Sequence, residues 1–234
     1  VILDGSWTVD SQRYVGEAED GEWAFATVDL VDPLPEKYKI GVTVNVPEAE
    51  SGMYKNAFSV FEYIDAENFK IFGTYLGQDE WAILEMKNGA LNELASVSMD
   101  LEIDTNYQLE LEVDEKLLYL RVDGDLQLQV ELNDIPNNGK VGLATDNAKA
   151  IFDDFSIIEV LPSPDAVDDS AYTLVGQAVT VAVLGNDIPV DGTTVRVTSA
   201  EGGEGTLALV DSDEDGKNES VQYTPAAEYR GIDE

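Results

Sequence analysis

The sequence predicts an all-β protein built as two consecutive sandwiches. Three observations carry that reading. Apolar and polar residues alternate with a period of two along many short runs, the pattern of half-buried strands. No long stretch carries the periodicity of an amphipathic helix. The composition also breaks near residue 161. Residues 1–160 hold all three tryptophans and all seven phenylalanines, and residues 165–234 hold neither.

Taken in order, "YKIGVTVNV" (38–46), "NAFSVFEYI" (56–64), "NFKIFGTYLG" (68–77) and "EWAILEMKNG" (80–89) read as strands. Turn-rich pieces such as "DAEN" and "GQDE" separate them. "YQLELEV" (107–113) puts Leu109, Leu111 and Val113 on one face and Gln108, Glu110 and Glu112 on the other. "LLYLRVDGDLQLQVEL" (117–132) folds back at Asp123-Gly124, setting Leu118, Leu120 and Val122 opposite Leu126, Leu128 and Val130. "KVGLAT" (140–145) and "KAIFDDFSIIEV" (149–160) complete a first unit, 1–160. "LPSPDAVDDS" (161–170) opens with a linker at 161–166. The second unit, 167–234, offers "AYTLV", "AVTVAVL", "TTVRVTSA", "GTLALVDS" and "ESVQYTP" at Ig-like spacing.

Composition narrows the functions. The 234 residues carry 48 acids against 13 bases, a formal charge of −35. Such a chain repels phosphate, which argues against nucleic acid, and it does not adhere to anionic lipid by charge. It suits surroundings rich in salt or divalent cations. There is no cysteine and no histidine, so thiolate chemistry and most zinc or copper sites are excluded. Calcium, a hard cation taking oxygen ligands, remains. No apolar run approaches the length of a membrane span, which predicts no membrane insertion. The chain opens on Val-Ile-Leu-Asp, which reads as a piece of something larger.

The second unit resembles the cadherin-like, Ig-like tandem repeats of large bacterial surface proteins and adhesins. The marks are "DAVDDSAYTLV", "VLGND" (183–187) and the "YTP…Y-x-G-x-D" ending (223–233). The resemblance implies an extracellular spacer, secreted or at the bacterial cell surface, often stiffened by calcium and flanked by neighbouring repeats. Residue chemistry points the same way. Asp211, Asp213, Asp215 and Gly216 fit D-x-D-x-D-G, the front of a calcium loop, with Glu219 available to complete the shell. Position twelve is Gln222 where the helical motif has Glu; the alternative is a solvated acidic hairpin tip. Asp165, Asp168 and Asp169 form a second candidate calcium cluster with Asn186 and Asp187. Against it stands a flexible acidic linker beside an ordinary turn. In the resembled repeats a further strand follows "Y-x-G-x-D". By that comparison the second sandwich is incomplete at its C-terminus, with an open sheet edge suited to self-assembly by strand addition.

The first unit resembles the concanavalin A-like or laminin-G-like jelly rolls. The resemblance rests on "GSWTV", "NAFSVFEYIDAENFKIFGTYLG", "LYLRVDGDLQL" and the closing "GKVGLATDNAKAIFDDFSI". It implies two curved sheets and, in many relatives, a lectin-like face for a glycan or surface polysaccharide. Some relatives are glycosidases, and the closing "FDD" strand is similar to that of keto-disaccharide hydrolases. The E-x-D-x-x-E and E-x-D-x-E constellations of the fold's glucanases are missing, so catalysis is not expected. Aromatics crowd three adjacent strands. One set must fill the core, while Trp81, Tyr63, Phe61 and Tyr75 are candidates for a face on which sugar rings stack. The alternative is that all of them fill the sandwich. By the same resemblance Asp154, at the start of the last strand, is a candidate calcium ligand, with Asp4 as partner. The leading expectation is thus a non-enzymatic adhesion module. A spacer without a ligand is the second reading and a glycosidase the third.

Overall fold

The computed structural model describes residues 1–19, 21–48, 54–161, 165–187, 197, 203–211, 216 and 218–233. The chain divides into two compact units, Val1–Val160 and Leu161–Glu234. The described residues are almost entirely β, with one short 3-10 turn at Leu76–Gln78.

The strands of the first unit are β1 (Ile2–Asp4), β2 (Ser6–Asp10), β3 (Arg13–Glu17), β4 (Trp23–Val28), β5 (Lys37–Asn45), β6 (Asn56–Asp65) and β7 (Asn68–Tyr75). They continue as β8 (Glu80–Lys87), β9 (Ala90–Ser98), β10 (Asn106–Asp114), β11 (Leu117–Val122), β12 (Asp125–Glu131), β13 (Lys140–Asp146) and β14 (Lys149–Glu159). A front sheet runs β1-β4-β13-β6-β7-β8-β9 and a back sheet β12-β11-β10-β5-β14-β3-β2. The expected jelly-roll sandwich is therefore present, all antiparallel. β1 to β4 carry little strand signal and escape the sequence reading.

The back sheet obeys simple alternation. Ile40, Val42 and Val44 of β5, Leu109, Leu111 and Val113 of β10, and Leu118 and Leu120 of β11 face inward. Their partners from the front sheet are Phe61, Phe72, Trp81, Ile83, Val141 and Leu143. The β11–β12 turn has Asp123 at φ 50° and Gly124 at φ 90°, the left-handed pair that a two-residue hairpin requires. A bulge follows at once. Leu120 pairs with Leu128, but Arg121 pairs with Leu126. The extra residue turns Leu126 outward, leaving it 48% exposed rather than in the expected cross-strand apolar pair.

The front sheet behaves differently, because β6, β7 and β8 are apolar on both sides. Its inner side joins the main core. Its outer side carries a second buried cluster containing Phe25, Phe58, Val60, Phe69, Ile71 and Leu84. A bulge in β6 sets this partition. Phe61 pairs with Lys70, yet Asp65 pairs with Asn68, so the residues between them loop out with Glu62 at φ 50°. Strict alternation would keep Phe61 and Tyr63 on one side. The bulge sends Phe61 inward and Tyr63 outward.

The second unit contains β15 (Val179–Val181), β16 (Gly205–Val210) and β17 (Ser220–Pro225), antiparallel in the order β15-β17-β16. The strand expected at 171–175 does not form, and Tyr172 is 97% exposed. There Thr173 Oγ1 donates instead to the Gln177 carbonyl at 2.7 Å, closing a local turn. Apart from Val197, the strand expected at 193–200 lies outside the described residues.

The "Y-x-G-x-D" ending has a structural explanation. The Asp233 carboxylate accepts from the Tyr223 hydroxyl at 2.5 Å and from the Glu204 backbone N–H at 2.8 Å. The hydrogen bond to Asp233 pushes the Tyr223 phenol up to about 12. Gly203, at φ 55°, leaves the space that the carboxylate fills, since a Cβ there would overlap Asp233.

Candidate functional site

The outer side of the front sheet is the chemically unusual surface of the first unit. Outer faces of two-layer sandwiches are ordinarily polar. This one is paved with rings. Trp23 stacks on Phe25 with centroids 5.6 Å apart and planes 11° apart, and meets Phe69 edge-on at 5.2 Å. Phe25 contacts Tyr63 at 5.0 Å, Tyr63 stacks on Phe69 at 6.0 Å, and Phe58 contacts Tyr75 at 6.3 Å. Phe25, Phe58 and Phe69 are buried; Trp23, Tyr63 and Tyr75 are half-buried at the margin.

Strand register places six residues in one row, of which Asn56 and Glu80 are buried. Trp23 pairs with Asp146, Asn56 with Tyr75, Tyr75 with Glu80, and Glu80 with Ser98. Continuing the Ala144–Phe58 pairing by two residues sets Asp146 beside Asn56. Two hydrogen bonds lock that step. Asn56 Nδ2 donates to the Asp146 carbonyl at 2.8 Å, and the Asp146 N–H donates to Asn56 Oδ1 at 3.0 Å. Directly paired residues point to the same face of a sheet. The row therefore reads Trp23, Asp146, Asn56, Tyr75, Glu80, Ser98, with two rings set among oxygen-bearing groups. Burial holds the Asp146 carboxyl above the ordinary range.

The proposed ring set is thus corrected in part. Tyr63 and Tyr75 lie on the outer face. Trp81 and Phe61 do not: both are 0% exposed and sit in the core between the sheets. Trp81 packs edge-on against Tyr107 at 5.1 Å and directs Nε1–H at Met99 Sδ. The phase of β8 decides this, since Trp81 and Ile83 share the inward side while Ala82 and Leu84 line the outward one. The sequence reading missed Trp23 and Phe25. The W-x-F spacing of "WAFATV", which puts both rings on one strand face, is the signal that would have found them.

The acidic candidates separate too. Asp154 does not begin the final strand. It lies within β14 at a bulge, φ 51°, where its Oδ2 accepts from Thr43 Oγ1 at 3.5 Å. Asp4 sits in β1 of the other sheet and is no partner for it. In the second unit Asp187 Oδ1 accepts from the Val167 N–H at 2.8 Å, and Asn186 Nδ2 donates to the Asp168 carbonyl at 3.5 Å. The "ND" corner thus ties down the incoming segment by hydrogen bonds. Asp165, Asp168 and Asp169 are exposed. They do not converge with Asp187, as no group of three or more acidic side chains suited to a metal occurs among the described residues. Asp213 and Asp215 lie outside the described residues. Asp211 is described: Oδ2 accepts from the Gly216 N–H at 2.9 Å, while Oδ1 is buried without a hydrogen-bond partner. Glu219 donates its N–H to the Val210 carbonyl at 3.1 Å.

Comparison with known proteins agrees with this architecture. Residues 162–234 match the bacterial Ig domain family. The carbohydrate-binding module CBM66 from Bacillus subtilis superposes with a TM-score of 0.57 at 15% identity, covering 68% of this chain and 94% of that one. The GH43 BlXynB protein from Bacillus licheniformis gives 0.50 at 17% identity, covering 66% of this chain but only 35% of that one. At such identities the likeness is one of fold. No curated protein sequence matches the chain. No helix among the described residues is long and apolar enough to cross a membrane.

Proposed function

We propose that this protein is a non-enzymatic carbohydrate-binding module, joined to an Ig-like spacer, that serves adhesion in a secreted or surface-displayed bacterial protein. The observation that carries the reading is the row across the front sheet. Trp23 and Tyr75 offer half-exposed rings for the C–H faces of sugars, and half-buried Asp146 and exposed Ser98 in the same row hydrogen-bond hydroxyls. The likeness to a carbohydrate-binding module supports the same reading.

The row does not suit glycoside hydrolysis. Asp146 and Glu80 stand on β13 and β8, three strand spacings apart, about 14 Å. Glycosidase carboxylates sit roughly 5–10 Å apart across the scissile bond. A glycan array followed by titration tests the proposal. Tyr75→Ala and Trp23→Ala should abolish binding of any captured oligosaccharide while the sandwich stays folded. Turnover of that oligosaccharide would revive the hydrolase reading.

Calcium at the 211–219 loop belongs to the same proposal. The residues fit the ion: the segment is rich in carboxylates, and Asp211 Oδ1 is a buried oxygen without a hydrogen bond. Asp211, Asp213, Asp215 and Glu219 would hold the ion. Its part is to cancel their mutual repulsion and stiffen the hairpin between β16 and β17.

A further inference from the structure

At the opposite end of the front sheet lies a cavity of about 290 Å³ that the row does not use. Its polar wall is Lys70, whose Nζ stands 2.5 Å from Glu62 Oε2 and 3.1 Å from Glu85 Oε1. All three side chains are only 15–20% exposed. The β6 bulge, with Glu62 in the left-handed region, turns that carboxylate toward Lys70. Burial alone would pull the ammonium down. The two carboxylates outweigh it and hold Lys70 above the ordinary lysine range.

Three features of the cavity define a ligand. First, the polar wall is unsaturated. Lys70 has three donors and directs two of them at carboxylates, while each carboxylate has further acceptor sites. Second, among the mostly polar residues of the remaining wall stand the apolar side chains of Ile64, Leu94 and Leu132. A ring with one hydroxylated edge and one C–H face matches both walls. Third, the charge is one-sided. Lys70 and Lys87 face Glu62, Glu85, Glu131 and Asp134, which disfavours an acidic ring. Small-molecule sites span roughly 300–1,000 Å³, so this one admits a single ring.

We propose that the cavity at the Lys70–Glu62–Glu85 triad is a second saccharide site, binding one neutral monosaccharide unit end-on. It is separate from the row. Phe69 lines the cavity and Tyr75 lies in the row six residues along β7, about 20 Å away. It is no hydrolytic centre despite its paired glutamates, because the ammonium occupies the space between them where a glycosidic bond would have to lie. The inference goes beyond the proposed function and survives or fails on its own.

The test is an amide chemical-shift titration of the whole chain. The probes are glucose, galactose, mannose, fructose and N-acetylglucosamine at millimolar concentration, with glucuronate as the acidic control. The expected result is saturable shifts at Lys70, Glu85 and Asn133 for at least one neutral sugar. Glu85→Gln should weaken that sugar at least tenfold. Asn133→Trp, an exposed rim position outside the triad, should block it with folding intact. Shifts at Trp23 and Tyr75 alone overturn the inference and leave the row standing. Shifts at the cavity alone uphold it and count against the row. No cavity shift with any of the five sugars overturns it. Equal response to glucuronate overturns the assignment to a neutral ring.

Discussion

Replacing Trp81 by alanine separates the two sides of the front sheet. Trp81 is fully buried, contacts Tyr107 edge-on and sits in the main core with Phe61 and Phe72. A buried tryptophan covers about 150–250 Å², and truncations of this kind cost about 3–5 kcal/mol once the cavity left behind is included. For a unit of 160 residues, each kcal/mol lowers the midpoint by about 2–4 °C. Trp81→Ala should therefore lower the first thermal transition by about 8–16 °C, taking the middle of that energy range. Sugar affinity measured well below the transition should be unchanged. Trp23→Ala should show the reverse profile, since its ring is half-buried: a smaller loss of about 1–2 kcal/mol and no binding. Differential scanning calorimetry with isothermal titration on both variants is the assay. A shift below about 3 °C for Trp81→Ala, coupled to lost binding, would show that Trp81 faces the ligand and would refute the partition.

Other expectations follow from single contacts. Asp146→Asn should stabilise the first unit at neutral pH. Its folded pKa is raised above 3.8 by burial, so its stabilising contribution is present below that value and lost as pH rises through the folded pKa. The advantage of the variant should vanish in acid; an equal advantage at all pH would assign it to something other than the charge. Gly142→Ala should cost at least about 1–3 kcal/mol, because a Cβ there would lie 2.1 Å from the Ala26 carbonyl oxygen of the neighbouring strand. An unchanged denaturation midpoint would contradict that close approach. Asp233→Ala should bring the Tyr223 phenol down from about 12 toward 10.0, followed by ring NMR. A titration that stays near 12 would place the cause elsewhere. Saturating calcium should raise the midpoint of the second unit, by about 2.7 kcal/mol at a hundredfold excess over Kd, and Asp213→Ala should remove the gain. An unmoved midpoint in the wild-type chain would count against the loop.

How legible the fold was depends on where alternation is strict. β10, β11 and β5 alternate cleanly, and their inward faces could be named from the residues alone. β6, β7 and β8 could not be divided that way, because aromatics stand on both sides and a period of two gives no absolute phase. Trp81 and Phe61 were misplaced for that reason, since the inward side is fixed only by which neighbours the rest of the chain supplies. The bulges at Glu62, Asp154 and Gln127 were invisible because they depend on pairing between strands rather than on local composition. The ends of the second unit were legible through "ND" and "Y-x-G-x-D", but as marks of a family. Their physical content, Asp187 on the Val167 amide and Asp233 on Tyr223, appears only when the chain is folded. The lysine triad had no sequence signal at all, because its members come from three strands.

The β6 bulge has one further consequence. It works as a frame shift within the strand. Upstream of it the parity of the residue number assigns a side chain to the core or to the outer face; Tyr63 falls on the opposite side from Phe61, and by Asp65 two extra residues have brought the original parity back. Deleting Glu62 would leave one extra residue in place of two. Tyr63, then next after Phe61, would keep to the aromatic face, while Lys70 would lose the Glu62 carboxylate. Variation by insertion or deletion at this one point can therefore change what this end of the sheet presents to a ligand, with every other residue unchanged. Among proteins of this architecture, recognition would then be set by a count of residues before it is set by their identity.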